Sequence, residues 1–291
     1  MFSKRTRGLR RTSPIRPWEL PRLPDETEHE HQARMNEQYF NEQLQDNEEW
    51  WVRIGGSFDF SNRRVLDVGC GHGALAIRIA RGGASEVVGV DVDPGRIAFA
   101  TKVLHERYPS LTKRVRFLCT DIRTIAERDY YDYVVSKDSF EHIDDLAGVI
   151  NNILAALRRP GGRLIVGFSP MYFSPLGDHG RLYLPPIVWL HAVLPERVAL
   201  AYASFKQGRK INSISDLGLN KLTPKGLRSL FPDSTWKVVS LRYNRGCRLM
   251  WVLNVSRKLP WLEKYCTVSI YGVFETKARF VAAQSQFHRA A

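Results

Sequence analysis

From residue 63 onward the chain keeps one rhythm, in which a short run of β-branched and apolar residues gives way to a stretch with helical spacing. Parallel strands cannot be joined by a tight turn and need a crossover, so this alternation reads as a parallel sheet covered by helices. Strands are expected at 64–68, 86–91, 115–119, 131–135 and 163–168. Helices are expected from 74 to 80 and from Pro94 towards Tyr108, where proline suits the first turn. A third helix carries Leu146, Val149, Ile150, Ile153, Leu154 and Leu157 as one apolar stripe, and Pro160-Gly161-Gly162 ends it. The rhythm then breaks. Residues 169–222 read as an irregular or helical insertion, Thr223-Pro224 opens a last helix running to about Pro232, and strands at 236–241 and 267–274 complete the sheet as an antiparallel edge. The expected fold class is α/β: a Rossmann-like, doubly wound, seven-stranded and mostly parallel sheet with a mainly helical insertion.

The chemistry concentrates after the first strand, in VLDVGCGHG (65–73). Gly69, Gly71 and Gly73 between a strand and a helix let backbone approach a ligand at the carboxyl end of the sheet. There is no Gly-Lys-Ser/Thr to cradle a triphosphate, and Asp67 at the loop mouth would repel the pyrophosphate of a dinucleotide. A carboxylate there suits a cation, an ammonium or a sulfonium. Asp91 ends the second strand, where a carboxylate accepts from ribose hydroxyls, and Asp121 follows the third, where it could accept from the amine of a base. The acids outline an extended ligand with a cationic end, a ribose and an adenine.

VLDVGCGHG, then VVGVDVDP, VRFLCTDI, YDYVVSKDSFEH and RRPGGRLIVGF, resembles the class I S-adenosylmethionine-dependent methyltransferases, in the small-molecule branch similar to the ubiquinone and menaquinone enzymes. The resemblance covers about residues 60–170. It implies S-adenosylmethionine as cofactor, with Asp67 and Gly69 near its methionine part, Gly71 and Gly73 in the turn, Asp91 on the ribose, Asp121 and Ile122 at the adenine, and Cys70 and Val92 among the further cofactor-binding residues. Ser136 and Lys137 would line the path to the acceptor; His142 and Asp138 are the candidate catalytic residues. No metal is expected. The chain is expected to divide into a disordered basic arm and acidic linker (1–30), a helical lid (31–56), the cofactor core (57–170), a substrate-side insertion (171–222), the closing helix and strands (223–280) and a tail (281–291). Trp50 and Trp51 on the lid helix are expected to fold over the cofactor. In the insertion, Tyr172, Phe173, Tyr183 and Trp189 read as core, while Asp178, His179 and His191 are further polar candidates.

Charge narrows the acceptor rather than the reaction. The chain carries +13 overall, yet residues 51–150 balance 14 basic against 14 acidic side chains, and the excess falls in the first 24 residues and in 151–291. An anionic or lipid-like small acceptor fits that distribution. Two rival readings take the same charge as an RNA footprint, or as the contact of a non-catalytic protein with a membrane surface. Cys70, Cys119, Cys247 and Cys266 have no metal or disulfide spacing, and 182–205 is broken by prolines and charges. A cytoplasmic location without a transmembrane segment is therefore expected.

Overall fold

A computed structural model describes residues 20–56, 58–175, 177–246 and 250–278. Most of the basic arm, the tail and Cys247 lie outside them. Seven strands form one sheet in the order β3-β2-β1-β4-β5-β7-β6, with β1 at Arg64–Val68, β2 at Glu86–Asp91, β3 at Val115–Cys119, β4 at Tyr133–Lys137, β5 at Arg163–Phe168, β6 at Trp236–Tyr243 and β7 at Ile270–Thr276. The first five pair in parallel, and β7 runs antiparallel between β5 and the rim strand β6. Strand order reverses between β1 and β4, and in open sheets of this kind the ligand crevice lies at the carboxyl ends of the strands beside that point.

Two strands begin later than their apolar runs suggest. The fourth, expected at 131–135, is Tyr133–Lys137, because Tyr131 makes only an isolated bridge to Leu157 while Tyr133 pairs with Arg163. The shift draws Ser136 and Lys137 into the strand. The last, expected at 267–274, is Ile270–Thr276, because Thr267 donates its hydroxyl to the Glu263 carbonyl and Val268 its N–H to the Asn244 side chain.

The central strands are buried on both faces, so they read as continuous apolar runs. Leu66, Val88, Val134 and Leu164 pack on one face against α4 (Leu146–Ala156), which brings Val149, Ile150 and Ile153. Val65, Val87, Val135 and Ile165 pack on the other against α2 (Ala74–Arg81), α3 (Pro94–Arg107) and α1 (Glu28–Ile54). The helix α1 starts at a capping box, in which Thr27 accepts from the Glu30 N–H and the Glu30 side chain accepts from the Thr27 N–H. Its distal half is core: Phe40, Trp50, Trp51 and Ile54 are buried beneath the sheet. The expectation that Trp50 and Trp51 fold over the cofactor is therefore corrected. Two indoles offer more apolar area than a lid edge can cover, and the sheet face supplies that cover.

The insertion builds a small core of its own from Tyr172, Leu182, Leu200, Ala203, Ile211, Ile214 and Leu217, to which α6 (Glu196–Gln207) gives Leu200 and Ala203, while α5 (Leu190–Val193) sets the His191 ring against Tyr172. Phe173 packs at its border, whereas Tyr183 is exposed and Trp189 donates its indole N–H to the Tyr265 carbonyl. After α7 (Pro224–Ser229), the stretch between β6 and β7 holds two short helices, α8 (Met250–Ser256) and α9 (Glu263–Cys266).

Candidate functional site

The loop from β1 to α2 turns under β2. The N–H groups of Gly69 and Cys70 both donate to the Val90 carbonyl, at 2.9 and 3.0 Å, and the Gly71 N–H donates to Asp91 Oδ2 at 2.9 Å. Gly69 has φ +72°, and a Cβ there would meet Ser139 Oγ at 2.2 Å; only glycine fits. Gly71 is different. A Cβ on it would meet nothing within 4 Å, so the loop there faces open space of the kind a ligand fills. Gly73 caps α2 against the Phe117 ring, and Cys70 is buried, its thiol raised well above the usual range by that burial.

Asp67 lies beneath this loop with 1% of its surface exposed. It accepts from the Ala76 N–H in the first turn of α2, while Oδ2 has no hydrogen-bond partner among the described residues. Burial, reinforced by the Asp91 charge and partly offset by Lys137, raises its carboxyl to about 7. An unsatisfied buried carboxylate is costly, and a cationic ligand would relieve it. Asp91 holds the Gly71 and Asp93 N–H groups, one on each oxygen at 2.9 Å, and the helix cap of α3 is supplied by Asp93. The neighbouring Val92 side chain stands 70% exposed at the edge of the site. The residues present thus fit a ligand with a cationic centre and a hydroxylated ring.

Asp121 follows β3 but caps the turn Ile122–Thr124, and Arg123 grips both its oxygens at 3.1 Å through Nε, which holds its carboxyl below the usual range. Ile122 is buried beside it. The β4 end departs furthest from expectation. Ser136 donates its hydroxyl to the Val68 carbonyl and is buried. Lys137 points into α1, donating to Gln43 at 2.8 Å and Asn47 at 3.0 Å and pairing with Asp46 at 2.9 Å. It is a clasp between strand and helix, and this corrects its placement on the path to the acceptor: a buried ammonium needs a full set of acceptors, and α1 provides them.

Beyond the clasp, Asp138 sits in the left-handed region at φ +51°, its N–H donating to the Gly167 carbonyl. Asp138 is exposed at the edge of the site, yet desolvation by the surrounding protein raises its carboxyl to about 6 against the opposing effect of Lys137. Glu141 is buried, with Oε2 unpartnered among the described residues, and burial plus the Asp138 charge push it well above the carboxylate range. His142 Nδ1 lies 2.7 Å from the Gly218 carbonyl, an acceptor, so Nδ1 carries the hydrogen and Nε2 the lone pair. Burial lowers its pKa to about 4. Arg181 of the insertion donates Nη1 to the Leu217 carbonyl and to the same Gly218 carbonyl, and no carboxylate lies within 4.0 Å of it among the described residues. Asp178 and His191 instead pair with each other at 3.8 Å within the insertion, and His179 meets the His142 ring edge-on.

Several site residues have no motif to announce them. Tyr39 of α1 is raised by burial and by the Asp138 charge, and its ring packs on His72, whose Nε2 bonds Asn36 Oδ1 at 3.1 Å. Helix α1 thus roofs the loop with its middle residues. Glu141 and Arg181 are likewise known only from the fold. The one available signal was Glu141 beside His142 just past a strand.

Fold and site together define a doubly wound sheet whose switch-point crevice fits a cationic nucleoside-type cofactor. A methyltransferase domain model matches residues 65–162. The chain is 31% identical over 198 residues to the ubiquinone biosynthesis O-methyltransferase of Bordetella bronchiseptica, across 67% of this chain and 76% of that protein. It is 32% identical over 113 residues to the malonyl-[acyl-carrier protein] O-methyltransferase of Acetivibrio thermocellus, where the match spans 38% of either chain. Among solved structures, phosphoethanolamine N-methyltransferase 2 of Haemonchus contortus with S-adenosyl-L-methionine has the same fold, with a TM-score of 0.51, 18% identity, and 80% of this chain and 53% of that one covered. The chain belongs to the class I S-adenosylmethionine-dependent methyltransferase family. It spans between 38% and 76% of the length of these curated relatives.

Proposed function

We propose that this protein transfers the methyl group of S-adenosylmethionine to an oxygen of a small, acidic acceptor. The observation that carries the reading is Asp67: a buried carboxylate with one oxygen unpaired, under a glycine loop whose Gly71 opens on free space. The sulfonium makes the methyl group electrophilic. Asp67 and Asp91 would hold the cofactor, with Asp91 at the ribose, Val92 and Ile122 against the adenine, and Tyr39 over the methionine end. The protein's own task is to hold the acceptor oxygen in line and keep water out.

The acceptor side is read from the β4 end and the insertion. Arg181, anchored by backbone carbonyls rather than by a carboxylate, is suited to an anionic group. Transfer would exchange the S–CH3 bond for an O–CH3 bond as the acceptor O–H bond gives way; His142 Nε2 would take that proton and pass it to solvent, with Asp138 supporting charge nearby. The relatives named for O-methylation support an oxygen acceptor.

Incubation with S-adenosylmethionine and a panel of phenolic and carboxylic acids, scored for the demethylated cofactor, tests the reading. Turnover with at least one acid, and a raised KM in Arg181→Met, is expected. Absence of cofactor binding by calorimetry at millimolar concentration would refute it.

A further inference from the structure

The outer surface of the acceptor side carries an apolar strip that the methyl-transfer reading does not use. On α8 and the turn after it, Trp251, Val255 and Leu259 recur at four-residue spacing and are 73%, 61% and 47% exposed, while Leu253 between them is buried. Trp261 follows at 69%. The strip continues onto the insertion: the Trp189 indole donates to the Tyr265 carbonyl at 3.0 Å, which brings exposed Ile187, Val188 and Val193 beside α9. Among the described residues no packing accounts for two protruding tryptophans, and contiguous exposed apolar surface of this kind marks a contact.

Charge selects the partner. Exposed Arg245 precedes α8, exposed Lys258 lies in the turn that follows it, and exposed Arg197 lies on α6 of the insertion. Acids of these segments are already paired, Glu196 with Lys221 at 2.7 Å and Glu263 with Arg228 at 2.7 Å. What faces outward is therefore apolar and cationic. Tryptophans at the tips with Lys and Arg behind them match the interface of an anionic bilayer, where indoles seat at headgroup level and cations meet lipid phosphate. No helix among the described residues is long and apolar enough to cross a membrane, so the contact is one of lying on the surface.

We infer that the strip formed by Trp251, Val255, Leu259 and Trp261, continued by Ile187 to Val193, docks the protein on anionic lipid membranes. The same insertion that supplies Arg181 to the site then stands at the membrane, so an acceptor dissolved in lipid reaches the site without crossing bulk water.

Flotation of the full chain with vesicles of phosphatidylcholine containing about a third phosphatidylglycerol tests this. Wild type is expected to float with these vesicles and not with pure phosphatidylcholine. Trp251→Ala/Trp261→Ala should partition at least about tenfold less, and Val255→Asp likewise, both with unchanged Tm because all three side chains are exposed. Wild type that stays in solution, or binds both vesicles equally, overturns the proposal. So does undiminished binding by folded variants, which would assign the contact to basic residues elsewhere, or a concentration-dependent dimer that the double variant abolishes. The readout is independent of methyl transfer.

Discussion

The carboxyl ends of β1 and β4 lie side by side, yet they are assembled in opposite ways. At β1 the functional groups come from one short stretch: Asp67, the glycines and, across a single strand pairing, Asp91. At β4 almost every partner is remote. Lys137 is satisfied by α1, His142 by the Gly218 carbonyl, and Glu141 feels the charge of Arg181 from the insertion at a distance. The first site is specified by local spacing and serves a ligand that is always the same. The second is specified by tertiary contacts, and its chemistry can change when the insertion changes.

The contrast is broken most severely at Gly69. Gly69→Val forces a side chain into Ser139 on a left-handed backbone and is expected to raise the cofactor Kd more than about a hundredfold by calorimetry. An effect under about threefold would mean the loop adapts, and that local spacing does not specify the site. Asp91→Ala should follow with about thirtyfold, since it removes both the ribose acceptor and the brace on Gly71. Wild-type affinity in a folded Asp91 variant would remove it from the cofactor site.

Protonation gives a smaller and more selective test. With its carboxyl raised to about 7, Asp67 favours the protonated form in the cofactor-free fold. Its contribution to stability is complete below the ordinary carboxylate range and is lost as pH rises to about 7. A bound sulfonium favours the ionised form, so S-adenosylmethionine affinity should fall towards about tenfold per pH unit below 7, while the demethylated cofactor, which keeps its ammonium and lacks the sulfonium charge, shows a much flatter profile. Equal profiles for the two would show that Asp67 does not meet the sulfonium. Least severe is Lys137→Met at the other strand end, expected to weaken cofactor binding about threefold and to speed amide exchange along 43–54, as the clasp on α1 opens. An effect as large as that of Asp91 would place Lys137 on the cofactor itself.

The same division explains what could be read without coordinates. Strands β1, β2 and β5 begin and end where their apolar runs do, because a central parallel strand is buried on both faces and the pattern has no other use. The placement of Asp67 and Asp91 at strand ends follows directly. Trp50 and Trp51 could not be located, because an aromatic pair on an amphipathic helix fits a lid and a core equally; the choice is made by the sheet face that α1 covers. Lys137 was ambiguous for the same reason. A lysine after a strand meets either a ligand or a helix, and Gln43, Asp46 and Asn47 lie far away in the chain. The helices α8 and α9 went unseen because a short stretch whose exposed face is apolar carries no amphipathic signature.

The Gly218 carbonyl receives both the Arg181 guanidinium and the His142 imidazole. Two donors on one oxygen divide its electron density between them. An anionic acceptor that drew Arg181 towards itself would leave the whole oxygen to the imidazole, and the opposite ring nitrogen would become more basic at the moment the acceptor arrived. A neutral analogue of the same shape would bind without that gain, so acceptor charge would govern how fast the methyl group moves as well as how tightly the molecule is held.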